Sequence, residues 1–209
     1  DISLIATIQT TPNAHPITVH GESQISETGG HIQHIKISPE KATAYDQSIQ
    51  AILEAEWVII GPGSLYTSLL PNLLVEGIAN ALRATNAHKV YVCNVATQPG
   101  ETDNYNVADH ILAIENHIGR GVFSTVVAND TYPTLNAGDK THYVSPAPPN
   151  HELFQRYDIH YSDLTDPERP WRHSPEKLAQ AILSLGEKEK VRGLGVKNHF
   201  PESTKAVIM

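Results

Sequence analysis

Three short apolar runs constrain this chain more than any other feature. They are "WVII" at 57–60, "KVYVC" at 89–93 and "VFSTVVA" at 122–128. Each is nearly continuous rather than alternating, so each suits a strand covered on both faces, the condition of a parallel sheet. The stretches around them carry the helical period. In "NYNVADHILAIENHIG", Val107, Ile111, Ile114 and Ile118 share one face, and Gly119 closes the segment. Helices are also expected before "WVII", with Ile49, Ile52 and Leu53 at helical spacing, and in "VEGIANALRAT". A last one reads in "SPEKLAQAILSLG", with Ser174 as N-cap and Pro175 at its first position. "DIHYSDL" reads as one more strand. Strand and helix in alternation predict an α/β fold, a parallel sheet with helices on both faces and right-handed crossovers.

The first forty residues read differently. "ISLIATIQ" alternates as a strand does, and "PITVHGES" and "HIQHIKISP" read as two strands joined by a hairpin-like insert, "QISETGG". This is a small β insertion near the N-terminus. His31 and His34 stand three apart in a strand, hence on opposite faces, and do not share a metal through that spacing. The chain opens on Asp1 and enters strand-like sequence at once, as expected of a piece of a longer protein. "GEKEKVRGLGVKNHFPESTKAVIM" reads as a polar, irregular tail. The expected organisation is an α/β domain at 1–185 and a C-terminal tail at 186–209.

Composition narrows the function classes. With 40% apolar and 18% charged residues, the 209-residue chain has a globular composition. A formal net charge of -8 argues against nucleic acid, whose phosphates need clustered Lys and Arg. The one cysteine forms no internal disulfide, which points to the reducing cytoplasm. No apolar run reaches the ~18 residues of a membrane span. Twelve histidines are present without HxxxH, HExxH or CxxC spacing, so no metal site is expected from them. Cys93 lies within an apolar strand and reads as core.

Ligands of open parallel sheets bind beyond the carboxyl ends of the strands. Three loops qualify. In "GPGSLYTS", Gly61 and Gly63 allow close backbone approach, and Ser64, Thr67 and Ser68 supply hydroxyls. With the free amides of the short helix that follows, "LYTSLL", which Pro71 interrupts, this is an anion site suited to phosphate. The competing reading is a plain turn with Ser64 as a cap. The loop is neither a Walker loop nor GxGxxG. In "CNVATQPGETDNY", Asn94, Thr97 and Asp103 suit a base, a sugar or a cation. The competing reading is a solvated loop with Asp103 capping the next helix. Glu101, Asp103 and Asp109 are acids that would hold magnesium if they converge. In "AND", Asn129 is a ligand contact or a turn former. No residue is assigned a catalytic role.

"IGPGSLYTSLLPNLLVEGI", "KVYVCNVATQPGETDNYNVADHI", "HGESQISETGGHIQHIKISPE" and "RHSPEKLAQAI" resemble the CofD-like superfamily, and within it the YvcK branch of gluconeogenesis factors. The resemblance covers residues 1 to about 185. It implies a Rossmann-like fold, a cytoplasmic location and a nucleotide ligand, with UDP-sugars expected. It also implies a role in cell shape and cell-wall homeostasis on gluconeogenic carbon sources. The CofD branch implies the alternative, a magnesium-dependent transferase moving a phospholactyl group to a deazaflavin. Mg2+ is expected only under that alternative; a binding factor needs no cofactor. Partners are thus a nucleotide or UDP-sugar, with no nucleic acid and no membrane span, and a homo-oligomer is compatible. Two departures stand out: the family's opening glycine-rich loop is absent, and Ser174 replaces an Asp of the family's closing motif. Against this background Arg172 is expected to grip phosphates, with His173 a weaker candidate. A guanidinium makes two parallel bonds to phosphate, and Arg172 stands two residues before a helix start. The competing reading is a surface arginine.

Overall fold

The computed structural model describes residues 2–135, 141–191 and 205–209. Four strands follow one another in the α/β part: β4 (Trp57–Ile60), β5 (His88–Val92), β6 (Thr125–Asn129) and β7 (Asp158–Ser162). Together with β8 (Ala206–Ile208) they form a five-stranded sheet of order β7-β6-β5-β4-β8, every pair parallel. The expected α/β architecture holds.

Side-chain alternation explains why the strand sequences are continuously apolar. Val58, Ile60, Tyr91, Val126 and Ala128 belong to one core, shared with Ile78 and Leu82 of α4 (Glu76–Ala84) and Ile111 and Ile114 of α5 (Val107–Ile118). Trp57, Ile59, Val90, Val92 and Val127 belong to a second core, shared with Leu178, Ile182 and Leu185 of α6 (Pro175–Val191). Right-handed crossovers that step one way along a sheet lay their helices on one face; α6 follows β7 and precedes β8 at the other end, so it covers the opposite face. Every residue of β4 and β6 is buried, so neither face of those two strands meets water.

A separate three-stranded antiparallel sheet has the order β2-β1-β3, from Ser3–Gln9 (β1), Ile17–His20 (β2) and His31–Ser38 (β3). This corrects the expected hairpin. The strands β2 and β3 do not pair; both flank β1, and the insert between them is a helix, α1 (Glu22–Thr28). Seven residues with one buried anchor, Ile25, carry too little period to be read as helical. The sheet packs through Ala6, Ile8, Ile32 and Ile35 on the core that holds α5. His34 stacks on His117 of α5 with ring centres 4.9 Å apart, and the Ile35 amide donates to His117 Nε2 at 3.1 Å.

Three further expectations change. Asp103 does not cap α5: Asn106 does, accepting from the Ala108 and Asp109 amides while Asp109 accepts from the Asn106 amide. Pro71 does not interrupt the helix: the π-helical residues Leu65–Leu69 run directly into α3 (Leu70–Leu73), which holds Pro71. Nor is the C-terminal segment irregular throughout. The helix α6 runs past residue 185 to Val191, and β8 pairs with β4. Met209 then accepts from the Gly61 amide at 2.8 Å, so the chain end supports the glycine turn. Among the described residues, no helix is long and apolar enough to cross a membrane.

Candidate functional site

Because β4, β5 and β7 run parallel, the loops that leave them emerge on one edge of the sheet. There they surround a cavity of about 770 Å3, lined among others by Gly63, Ser64, Thr67, Asn94, Thr97, Glu101 and Arg172. Each loop is fixed locally. After β4 the chain turns at 61–64 and winds into one π-helical turn, Leu65–Leu69. Such turns widen the helix by a residue and recur at functional sites. Its first bonds run from the Ser68 and Leu69 amides back to the Ser64 carbonyl, both 2.9 Å. After β5, residues 93–106 fold over the cleft. Thr97 locks them to the neighbouring segment: its amide donates to the His142 carbonyl at 2.7 Å, and its Oγ1 accepts from the His142 amide at 3.1 Å. After β7, the Thr165–His173 bridge and the turn between the Arg172 amide and the Arg169 carbonyl set Arg172 into the wall.

A side chain that sequence reasoning passed over ties the first two loops together. Gln98 Nε2 donates to Ser64 Oγ at 2.6 Å, and Gln98 Oε1 accepts from Asn94 Nδ2 at 3.3 Å. Ser64 and Asn94 thus face one another across Gln98, as expected if both strand exits serve one cleft. Trp171 is also new; it lines the cavity beside Arg172 with 37% of its surface exposed.

Four expected residues stand outside the lining. Gly61 is buried behind the turn, with its α-carbon tight against the β5 end: a Cβ there would lie 3.1 Å from the Val92 carbonyl oxygen. Ser68 is exposed, and its carbonyl accepts from Asn72 Nδ2. Asp103 closes its own loop, accepting from the Gly100 amide at 2.7 Å. Asn129 is spent on structure: Oδ1 accepts from the Leu164 amide at 3.0 Å, and Nδ2 donates to the Thr131 carbonyl at 2.5 Å. The magnesium trio does not assemble either, since Asp109 closes the α5 capping box, Asp103 the 100–103 turn, and only Glu101 lines the cleft. Among the described residues, no three His, Cys, Asp or Glu side chains gather for a metal.

Protonation states follow from burial. His173 donates from Nε2 to the Cys93 carbonyl at 3.1 Å. Burial holds its pKa below the usual histidine value, outweighing that hydrogen bond, so Nδ1 is a bare acceptor at neutral pH. Cys93 is fully buried and its thiol is pushed up to about 12, which removes it as a nucleophile. The site as built offers phosphate-size space beside a glycine turn, one guanidinium, amide and hydroxyl groups, and an aromatic plate. Among the described lining residues, the hydroxyls of Ser26 and Thr67 donate to the Glu101 carboxylate.

Comparisons with known proteins show the family and agree with the fold. A family model described as 2-phospho-L-lactate transferase CofD matches residues 2–160. A gluconeogenesis factor of Listeria innocua is 39% identical over 171 residues, covering 80% of this chain and 52% of that protein. A gluconeogenesis factor of Halalkalibacterium halodurans is 38% identical over 172 residues, 79% of this chain and 53% of that one. The chain therefore spans about half the length of these curated relatives. A crystal structure of a UPF0052 family member from Bacillus halodurans superposes with a TM-score of 0.77 at 34% identity, covering 87% of this chain and 58% of its own.

Proposed function

The chain belongs to the CofD family, among relatives named gluconeogenesis factors, and on that premise we propose that its cleft binds a nucleotide sugar, a UDP-sugar foremost. The observation that carries the reading is the convergence of Gly63, Ser64, Asn94 and Arg172 on one cavity at the carboxyl edge of a parallel sheet. The diphosphate lies between the glycine turn and Arg172. The base stacks toward Trp171, whose ring is the one large aromatic surface among the described lining residues. Arrest of the ligand, rather than its turnover, is the activity: the protein acts in the cytoplasm as a factor whose state reports nucleotide-sugar supply during growth on gluconeogenic carbon, with consequences for cell shape.

The family's transferase name favours a second reading, 2-phospho-L-lactate transfer, which we take as magnesium-dependent and directed to a deazaflavin. Of the acids that the sequence offered for the metal, Asp103 and Asp109 are occupied elsewhere and Glu101 alone lines the cleft, so no step of that reaction is derived from these residues. Calorimetric titration of UDP-glucose, GDP and a deazaflavin alcohol into the 209-residue chain separates the two. Saturable binding of UDP-glucose with no deazaflavin binding supports the factor. Deazaflavin binding with none of UDP-glucose overturns it.

A further inference from the structure

Glu101 stands in the cleft wall with 5% of its surface exposed. Its Oε1 accepts two hydroxyls, Ser26 Oγ at 3.0 Å and Thr67 Oγ1 at 2.9 Å. Its Oε2 is buried and finds no hydrogen-bond donor among the described residues. A desolvated carboxylate oxygen left without a donor is costly, and native structures rarely keep one without a use.

The arrangement is built rather than incidental. Ser26 belongs to α1, Thr67 to the π-helical turn and Glu101 to the loop after β5. Gly100 makes their meeting possible. Its φ is +83°, and a Cβ there would lie 2.8 Å from the Ser26 carbonyl oxygen, so only glycine lets the loop close on α1. Beyond this carboxylate the space continues. A second cavity of about 520 Å3 shares Glu22 and Thr67 with the first, and Ile2, Leu4, Ile37 and Pro71 contribute apolar walls. The end of the cleft that holds Glu22 and Glu101 is therefore acidic, roomy and partly apolar, whereas Arg172 is the cation among the described lining residues.

We infer that Glu101 is a specificity-determining residue: Oε2 accepts a hydrogen bond from a hydroxyl of the group carried beyond the diphosphate, so that group is a neutral, hydroxyl-bearing ring and not a second anion. The inference rests on the nucleotide-sugar reading and deepens it. Two carboxylates repel a carboxylate or phosphate at that position, while a sugar ring offers hydroxyl donors to Oε2 and C–H faces to the apolar walls. Thr67 and Ser26 act through Glu101, as positioning residues.

The test compares UDP-glucose with UDP by calorimetry on the 209-residue chain and on Glu101→Gln. The amide keeps an oxygen for Ser26 and Thr67 but turns a donor toward the ligand. The expected result is a roughly ten- to a hundred-fold loss of UDP-glucose affinity in E101Q, with UDP affinity unchanged within about twofold. Deoxyfluoro analogues of UDP-glucose, whose fluorine cannot donate, test the same point on the wild-type chain whatever the variant does. One ring position is expected to lose at least about tenfold. Equal affinity of E101Q and wild type for UDP-glucose, or no sensitive ring position, overturns the inference while UDP binding leaves the nucleotide reading standing. A difference abolished by EDTA overturns it in favour of a cation on Oε2. No binding of either nucleotide to wild type overturns both.

Discussion

Gly63 is the position where one added carbon tells most about the cleft. A Cβ there would lie 3.3 Å from Leu69 Cδ2 and 3.5 Å from the Ser68 Cβ. The first contact is tighter than packed side chains usually accept, and Leu69 is itself buried in the core. Gly63→Val therefore pushes the turn off the π-helical segment, at about 1–3 kcal/mol by the usual cost of overpacking. The expected outcome is a nucleotide affinity at least about tenfold weaker with a retained circular-dichroism spectrum, the fold being held elsewhere. Unchanged affinity in the folded variant would contradict the placement of the turn against the ligand. Residue types at the strand exits were legible because glycine, serine and asparagine advertise turns and donors. Gln98 was not legible as a cleft-builder, and Glu101 was legible only as a candidate metal acid. Their partners Ser64 and Thr67 lie 34 positions back, and Ser26 lies 75 back from Glu101, so nothing local distinguishes them from a solvated loop.

Helix α5 shows what local sequence can and cannot say about an element. Its face of Val107, Ile111 and Ile114 is buried as the period predicts, and Gly119 ends it in a left-handed conformation at φ 75°. Its start was misplaced because Asp103, Asn104 and Asn106 are all good caps, and only the reciprocal bond from Asp109 decides for Asn106. Asn106→Ala removes an acceptor at 2.7 Å from the Ala108 amide and 3.1 Å from the Asp109 amide. Destabilisation of about 0.5–2 kcal/mol is expected. Urea denaturation should show it as a lower midpoint at unchanged slope. The same change at Asp103 should not touch the helix, since its carboxylate serves the Gly100 amide. The elements α1 and β8 were missed for a common reason. One is a seven-residue helix with a single anchor, the other three residues of strand behind a polar stretch, and tertiary pairing rather than period creates both.

At the scale of the whole molecule, buried histidines link the parts and make stability depend on pH. His117 holds the three-stranded sheet to α5, with His34 stacked on it, His110 lies inside the core, and His173 braces the loop that carries Arg172. Burial depresses all three pKa values below 6.5, chiefly by disfavouring the charged ring. A base whose folded pKa lies below its unfolded value binds fewer protons when folded. Its contribution is complete above the unfolded pKa and is lost as pH falls through the folded one. The melting temperature should therefore be level from about pH 8 to 7 and fall progressively below about 6.5. A Tm unchanged between pH 7 and 5 would contradict this assignment of neutral, buried imidazoles. The central claim, that the carboxyl edge of the sheet holds a nucleotide diphosphate against Arg172, meets its most direct test in titrating UDP-glucose into wild type and Arg172→Ala. A charge-assisted bond is worth ~1.5–3 kcal/mol, so the variant should bind roughly ten- to a hundred-fold more weakly with its circular dichroism intact. An affinity within about twofold of wild type would mean that the arginine only borders the cleft and the phosphates lie elsewhere.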